Sequence, residues 1–308
     1  MQFAWLFLTT GLLSGAPAEI APPDPPVTAP ALSSAYRPYQ IRLSTLAEPP
    51  TGAIGLIIKA KVNNGPALRL LLDSGAEHLV LDRKAARRSG QSSGVSLDLI
   101  GAGLVPRHAR IATAASLQIG ELQFRDAPIV IVEGEIMEGV DGVMPLAMFS
   151  GFLVHLNVPA KRLDLEPFPE SELPCEPGFV PVKTHHNLLF LRTKLDGRHN
   201  GTLLLDTGSF YNVISTTAAK ALNRMTQFGG QVSILAGTGD AQGQRISGRV
   251  SYKLGDRDMT MEPVVAVNLE QMSQRNRIDV SGVIGFPALT GSVITVDYRQ
   301  SAIRIVTK

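Results

Sequence analysis

From about residue 51 the chain is built of short apolar runs. Ile54-Gly55-Leu56-Ile57-Ile58, Leu68 to Leu72 and Ile129-Val130-Ile131-Val132 are separated by Gly, Pro, Asn and Asp. Runs of four to eight residues with turn formers between them predict β-strands. Helical periodicity is scarce. Arg83 to Arg88 and Thr216 to Asn223 are the segments that predict helices, and both are short. The pattern therefore predicts an all-β body. Residues 19–50 differ, being rich in Pro and Ala, as in Ala21-Pro22-Pro23-Asp24-Pro25-Pro26. That composition predicts an extended linker, a short propeptide being the second reading.

The runs recur. Leu70-Leu71-Leu72-Asp73-Ser74-Gly75 returns as Leu203-Leu204-Leu205-Asp206-Thr207-Gly208. Gly101-Ala102-Gly103 has a counterpart in Gly237-Thr238-Gly239, and Ser116-Leu117-Gln118-Ile119-Gly120 in Ser251-Tyr252-Lys253-Leu254-Gly255. Asp141-Gly142-Val143-Met144 matches Ser281-Gly282-Val283-Ile284, and from there the halves run in step to Arg162-Leu163-Asp164-Leu165 against Ala302-Ile303-Arg304-Ile305. Four landmarks in one order predict two homologous lobes. The boundaries are 51–168 and 181–308, with a Pro-containing connection over 169–180.

Composition narrows the partners. Of 308 residues, 29 are Lys or Arg and 27 Asp or Glu, a formal net charge of +2 with the signs interspersed. Nucleic-acid binding needs a concentrated basic face, so it is excluded as the main role. Cys175 is the single cysteine, so no disulfide forms within the chain and core packing must carry stability. The apolar run Leu6 to Leu13 followed by Ala16-Pro17-Ala18 predicts a signal peptide over 1–18 and export to the periplasm or another extracytoplasmic space. Its start carries no Lys or Arg, which leaves an uncleaved anchor as the alternative.

Each Asp motif is an apolar strand ending in Asp, a hydroxyl residue and Gly. The glycines, Gly75 and Gly208, allow a tight turn and close approach of another backbone. The hydroxyls of Ser74 and Thr207 are placed to hydrogen-bond across to the opposite loop. Facing loops would hold Asp73 and Asp206 in contact, and two like charges so close retain a proton between them. The ionised member is suited to taking a proton from water, the protonated one to polarising a carbonyl. The competing reading is two β-turns with Asp as turn former, which leaves the Leu-Leu-Leu lead-in and the recurrence unexplained.

The halves resemble retropepsin-like aspartic peptidase lobes, fused in one chain as in pepsin-like enzymes. The resemblance rests on Leu72-Asp73-Ser74-Gly75-Ala76 and Leu205-Asp206-Thr207-Gly208-Ser209. It implies an all-β fold of two closed-barrel lobes around a cleft, with Asp73 and Asp206 catalytic. It also implies no cofactor or metal, a polypeptide substrate extended in the cleft, and a monomer sufficient for activity. Gly101, Ala102, Gly103, Gly237, Thr238 and Gly239 fall where the family carries mobile flaps. Val283, Ile284 and Gly285 fit the hydrophobic-hydrophobic-Gly loop behind the dyad. Val143-Met144-Pro145 departs from it, because Pro145 stands where Gly is usual. Pro145 also favours the alternative of a catalytically weak peptide-binding module on the same fold.

Other motifs carry less. Gly237 to Gly243 lacks the Lys of a phosphate-binding loop and the spacing of a dinucleotide fingerprint. His185, His186 and His199 lack a second cluster with ligand spacing, and read as surface residues near the lobe junction. His155, in an apolar run, reads as a partly buried structural histidine. Ser74 and Ser209 lack the glycine pattern of a nucleophile elbow.

Overall fold

The computed structural model describes residues 3–6, 11–13, 30–48, 52–91, 93–100, 107–168, 177–225, 231–236 and 239–307. The apolar runs are strands: Gly52–Val62, Leu68–Asp73 and Leu122–Val132 contain the three predicted segments. The predicted helices form as Arg83–Arg88 and Thr216–Ala221. Their N-caps, Asp82 and Ser215, are repeat-equivalent, and each side chain accepts from the amide of a residue three further on. Two helices that the periodicity did not predict follow, Glu270–Asn276 and Phe286–Leu289.

The two lobes share one connectivity. In the first, Leu68–Asp73 runs parallel to Gly142–Pro145, which is antiparallel to Leu79–Asp82, itself parallel to Leu122–Val132. In the second, His199–Leu205, Gly282–Ile284, Asn212–Ser215 and Val264–Val267 repeat that order and those directions. Small contacts repeat too. The Arg69 amide donates to the Asp141 carboxylate and the Thr202 amide to the Ser281 hydroxyl, at equivalent positions. The first lobe closes on itself, because Arg107–Ile119 pairs both with Leu122–Val132 and with Gly52–Val62. In the second lobe the equivalent closing pair is Leu195 with Tyr252, between Leu188–Leu195 and Val250–Leu254. The strand at the place of Arg107–Ile119 is split in two there, Gly239–Arg245 pairing with Val264–Val267 and Val250–Leu254 with Arg257–Met261.

A six-stranded sheet joins the halves, in the order Val180–Pro181, Ala302–Thr307, Ser292–Asp297, Phe152–Asn157, Arg162–Pro167, Tyr39–Arg42. At its centre Val154 pairs with Val296 and Leu156 with Ile294, so a pseudo-two-fold axis passes between His155 and Thr295. The His155 ring bonds Thr295 Oγ1 at 3.1 Å and stays half-buried, the structural role its apolar setting predicts.

The linker reading of 19–50 is corrected at its end. Tyr39–Arg42 is an edge strand of the joining sheet, and Ser44–Glu48 pairs with Gly52–Val62. Tyr39, Ile41, Leu43 and Leu46 are all buried, so the folded body begins well before residue 51. Residues 169–176, with Cys175, lie outside the described residues. At the N-terminus Phe3–Leu6 runs parallel to Gln231–Ala236, and Gly11–Leu13 antiparallel to Val95–Ile100. No helix among the described residues is long and apolar enough to cross a membrane.

Leu68, Leu70, Leu71 and Leu72 are fully buried, as are Leu203, Leu204 and Leu205. Both strand faces are covered, which explains continuous runs in place of alternation. Each such side chain contributes about 1.5–3 kcal/mol on burial. Both central strands are thus firmly held in their lobes; the first ends on Asp73, and Asp206 directly follows the second.

Candidate active site

Asp73 closes the strand Leu68–Asp73, and Asp206 follows the strand His199–Leu205 directly. The next residues tie the two chain segments together. The Ser74 amide donates to Thr207 Oγ1 at 3.0 Å, and the Thr207 amide donates to Ser74 Oγ at 3.0 Å. Each hydroxyl donates onward to a carbonyl of the opposite strand, Ser74 Oγ to Leu205 and Thr207 Oγ1 to Leu72, both at 2.9 Å. Four buried hydrogen bonds thus link segments 133 residues apart and satisfy both hydroxyls and both of these amides.

This grip brings the carboxylates together. A Cβ built on Gly75 would lie 2.4 Å from Asp206 Cγ, and one on Gly208 would lie 2.4 Å from Asp73 Cγ. Each carboxyl therefore rests on the other loop's glycine, in space that any side chain would fill. Gly75 donates its amide to Asp73 Oδ1 at 2.6 Å, and Gly208 donates to Asp206 Oδ1 at 2.9 Å. The second oxygen of each, Oδ2, has no partner of hydrogen-bonding geometry.

Both carboxyls are fully buried, and both hold protons more tightly than an ordinary Asp. Burial is the main cause for Asp73, raising it to about 6 against the pull of the neighbouring Asp206 carboxyl and the amides of Gly75, Gly208 and Ala76. Burial is again first for Asp206. The charge of Asp73 adds to it, so Asp206 stands well above the usual carboxylate range. The pair titrates as a unit.

The loops behind the dyad differ in an informative way. Gly282–Ile284 runs beside the strand His199–Leu205, and the amide of Asp206 donates to Ile284 at 3.0 Å. The Gly285 amide donates to Oδ1 of buried Asn212 at 3.1 Å, and a Cβ on Gly285 would meet the Tyr211 carbonyl at 2.0 Å. In the first lobe Pro145 replaces this glycine and Leu79 replaces Asn212. Pro145 has no N–H to satisfy, so the acceptor is dispensable and an apolar side chain fills its place. Met144 and Pro145 stay in register with Leu72 and Asp73. The departure from the family pattern is locally compensated, and Asp73 keeps its position. Asn212 was missed in the sequence, although aligning the halves sets it opposite Leu79.

The candidate flap residues fare differently. Gly101, Ala102, Gly103, Gly237 and Thr238 lie outside the described residues. Gly239 opens the return strand of the hairpin Gln231–Ala236 with Gly239–Arg245. In the first lobe Val95–Ile100 pairs with Arg107–Ile119, so residues 101–106 likewise fall between two antiparallel strands. His185 and His186 stack on each other at 4.0 Å, and His186 approaches Glu77 of the first lobe. Among the described residues no three His, Cys, Asp or Glu gather as a metal would require.

Two all-β lobes, a shared sheet and a buried carboxylate pair define the class of two-lobed aspartic-proteinase folds. In agreement, residues 58–145 match the aspartyl protease family model. The crystal structure of an aspartic proteinase from Irpex lacteus is similar, with a TM-score of 0.55 over 88% of this chain and 97% of that one. At 11% identity the likeness is one of fold. Among curated proteins no match is found.

Proposed function

We propose that the chain is an aspartic endopeptidase whose Asp73 and Asp206 activate a water between them. The carrying observation is the contact of each carboxyl with the other loop's glycine, which leaves both Oδ2 atoms without a protein partner. The ionised carboxylate takes a proton as water oxygen bonds to the scissile carbonyl carbon. The protonated carboxyl donates to the carbonyl oxygen and stabilises the tetrahedral intermediate. Collapse then breaks the C–N bond as the amine nitrogen takes up the proton. The shared proton that this scheme needs is favoured by the raised affinity of both groups.

The substrate is an extended polypeptide, bound in the cleft by main-chain hydrogen bonds with side pockets setting preference. The hairpins ending near 101–106 and 237–238 serve as flaps. The leader-like residues 1–18 support export, with the periplasm or another extracytoplasmic space as the place of action. One chain supplies both carboxylates, so a monomer suffices.

Incubation with denatured protein from acid to neutral pH tests the proposal. Cleavage is expected, and Asp73→Asn or Asp206→Asn alone should abolish it. Cleavage that survives either change removes the dyad mechanism. A binding module without turnover would hold the polypeptide and leave it uncut at every pH.

A further inference from the structure

The residues four positions beyond the two Asp break the symmetry of the lobes. They are Glu77 and Phe210, each buried and each turned to the opposite lobe. Phe210 packs into a first-lobe cluster with Leu46, Ile57, Leu71 and Val80. Glu77 instead meets Arg275, on the second-lobe helix Glu270–Asn276. Arg275 Nη2 donates to Oε1 at 2.8 Å and to Oε2 at 2.7 Å. The Glu77 side chain is 4% exposed and that of Arg275 17%. His186 Nδ1 stands 3.8 Å from Oε1, and His78 Nε2 4.0 Å from Oε2.

We propose that Glu77 and Arg275 are positioning residues, an inter-lobe latch that sets the alignment in which Asp73 and Asp206 meet. The inference rests on the dyad reading above. The Ser74–Thr207 grip and the joining sheet straddle the pseudo-two-fold axis, where they have little leverage against rocking of one lobe on the other. Glu77 and Phe210, being equivalent, fall on opposite sides of that axis. The apolar plug holds one side by packing, which tolerates small slips. The ion pair holds the other with directional bonds to both carboxylate oxygens, and these fix a register. Glu77 is also only four residues from Asp73, so a displacement of one is transmitted to the other through a short turn. A small misplacement of reacting groups lowers the rate far more than it lowers binding.

The test compares Glu77→Gln, Arg275→Gln and the double variant Glu77→Leu/Arg275→Leu in the full chain. Three quantities are read: kcat and KM on a peptide that the wild type cuts, the thermal midpoint, and the gap between the two dyad titrations by carboxyl 13C NMR. Each single variant is expected to lower kcat about tenfold with KM within about twofold, and to narrow the titration gap. Each should also lower the thermal midpoint, since it strands one buried polar partner. The double variant replaces a buried ion pair with apolar packing, so its thermal midpoint should return towards wild type. Its kcat and titration gap should stay altered. If kcat and the gap recover together with stability, the pair is merely structural and the inference falls. It falls too if kcat and the gap are unchanged in all variants. Should a single variant fail to fold, the double variant decides by the same criteria. A wild type that cuts no peptide overturns the peptidase reading, and the titration gap then tests the latch by itself.

Discussion

Ser74 and Thr207 hold each other, the amide of each donating to the hydroxyl of the other at 3.0 Å. The consequence is that loops from the two halves form one rigid unit beneath the carboxylates. Ser74→Ala would leave the Leu205 carbonyl and the Thr207 amide unpaired and buried. A loss of about 2–4 kcal/mol is expected from two such groups, while Thr207→Ser, which keeps the hydroxyl, should cost under about 1 kcal/mol. Urea unfolding monitored by tyrosine fluorescence and by circular dichroism measures both.

The glycines under the carboxylates should tolerate nothing larger. Gly75→Ala and Gly208→Ala each place a methyl group 2.4 Å from the opposing carboxyl carbon, so one carboxyl must move. A loss of kcat of at least about 100-fold is expected from the displaced dyad. Steady-state kinetics with a peptide cut by the wild type give the answer, and near-normal turnover would contradict the geometry.

The raised proton affinities give stability a definite pH dependence. A carboxyl whose pKa rises on folding binds protons more tightly in the native state than in the unfolded chain. Stability from the dyad is therefore greatest at low pH. It falls as pH rises above the unfolded value, 3.8, through the folded value, about 6 for Asp73. Asp206, raised further, extends the loss upward. Asp206→Asn removes the charge, and should be more stable than the wild type at pH 7. Equal stability of the two proteins at pH 7, with a difference at pH 4, would reverse the sign. In the proposed mechanism the same shift places the singly protonated state at higher pH than ordinary carboxyls would allow, which a pH–rate profile reads directly.

Pro145 and Leu79 should behave as one substitution. Pro145→Gly alone introduces an amide with no acceptor, and Leu79→Asn alone buries an amide side chain among apolar groups. Each is expected to cost about 1–3 kcal/mol. Together they would recreate the Gly285–Asn212 hydrogen bond, 3.1 Å in the second lobe. The double variant should therefore be more stable than the sum of the singles by about 1 kcal/mol or more. Simple additivity in chemical denaturation would show the two positions to be uncoupled.

Much of this was legible in the sequence because it is local. Leu70 to Asp73 and Leu203 to Asp206 announce buried strands by unbroken apolar runs. The strand Tyr39–Arg42 was hidden by the Pro- and Ala-rich segment before it, although Tyr39 and Ile41 alternate with polar residues as an edge strand should. The helix Glu270–Asn276 carries few apolar positions and gave no periodic signal. Glu77 and Arg275 lie 198 residues apart, and nothing in the neighbourhood of either marks the other as its partner.

By itself the sequence determined the duplicated strand-Asp-hydroxyl-Gly unit, and with it the kind of residue that each loop can offer. That follows from hydrogen bonding and burial within a few residues of chain. The folded arrangement decided the rest: that each carboxyl lies on the other loop's glycine, that Leu79 answers Pro145, and that one side of the junction is latched by charge while the other is packed. Those outcomes depend on which surfaces two lobes present to each other, and burial in that shared interior is what raises the proton affinity of Asp73 and Asp206.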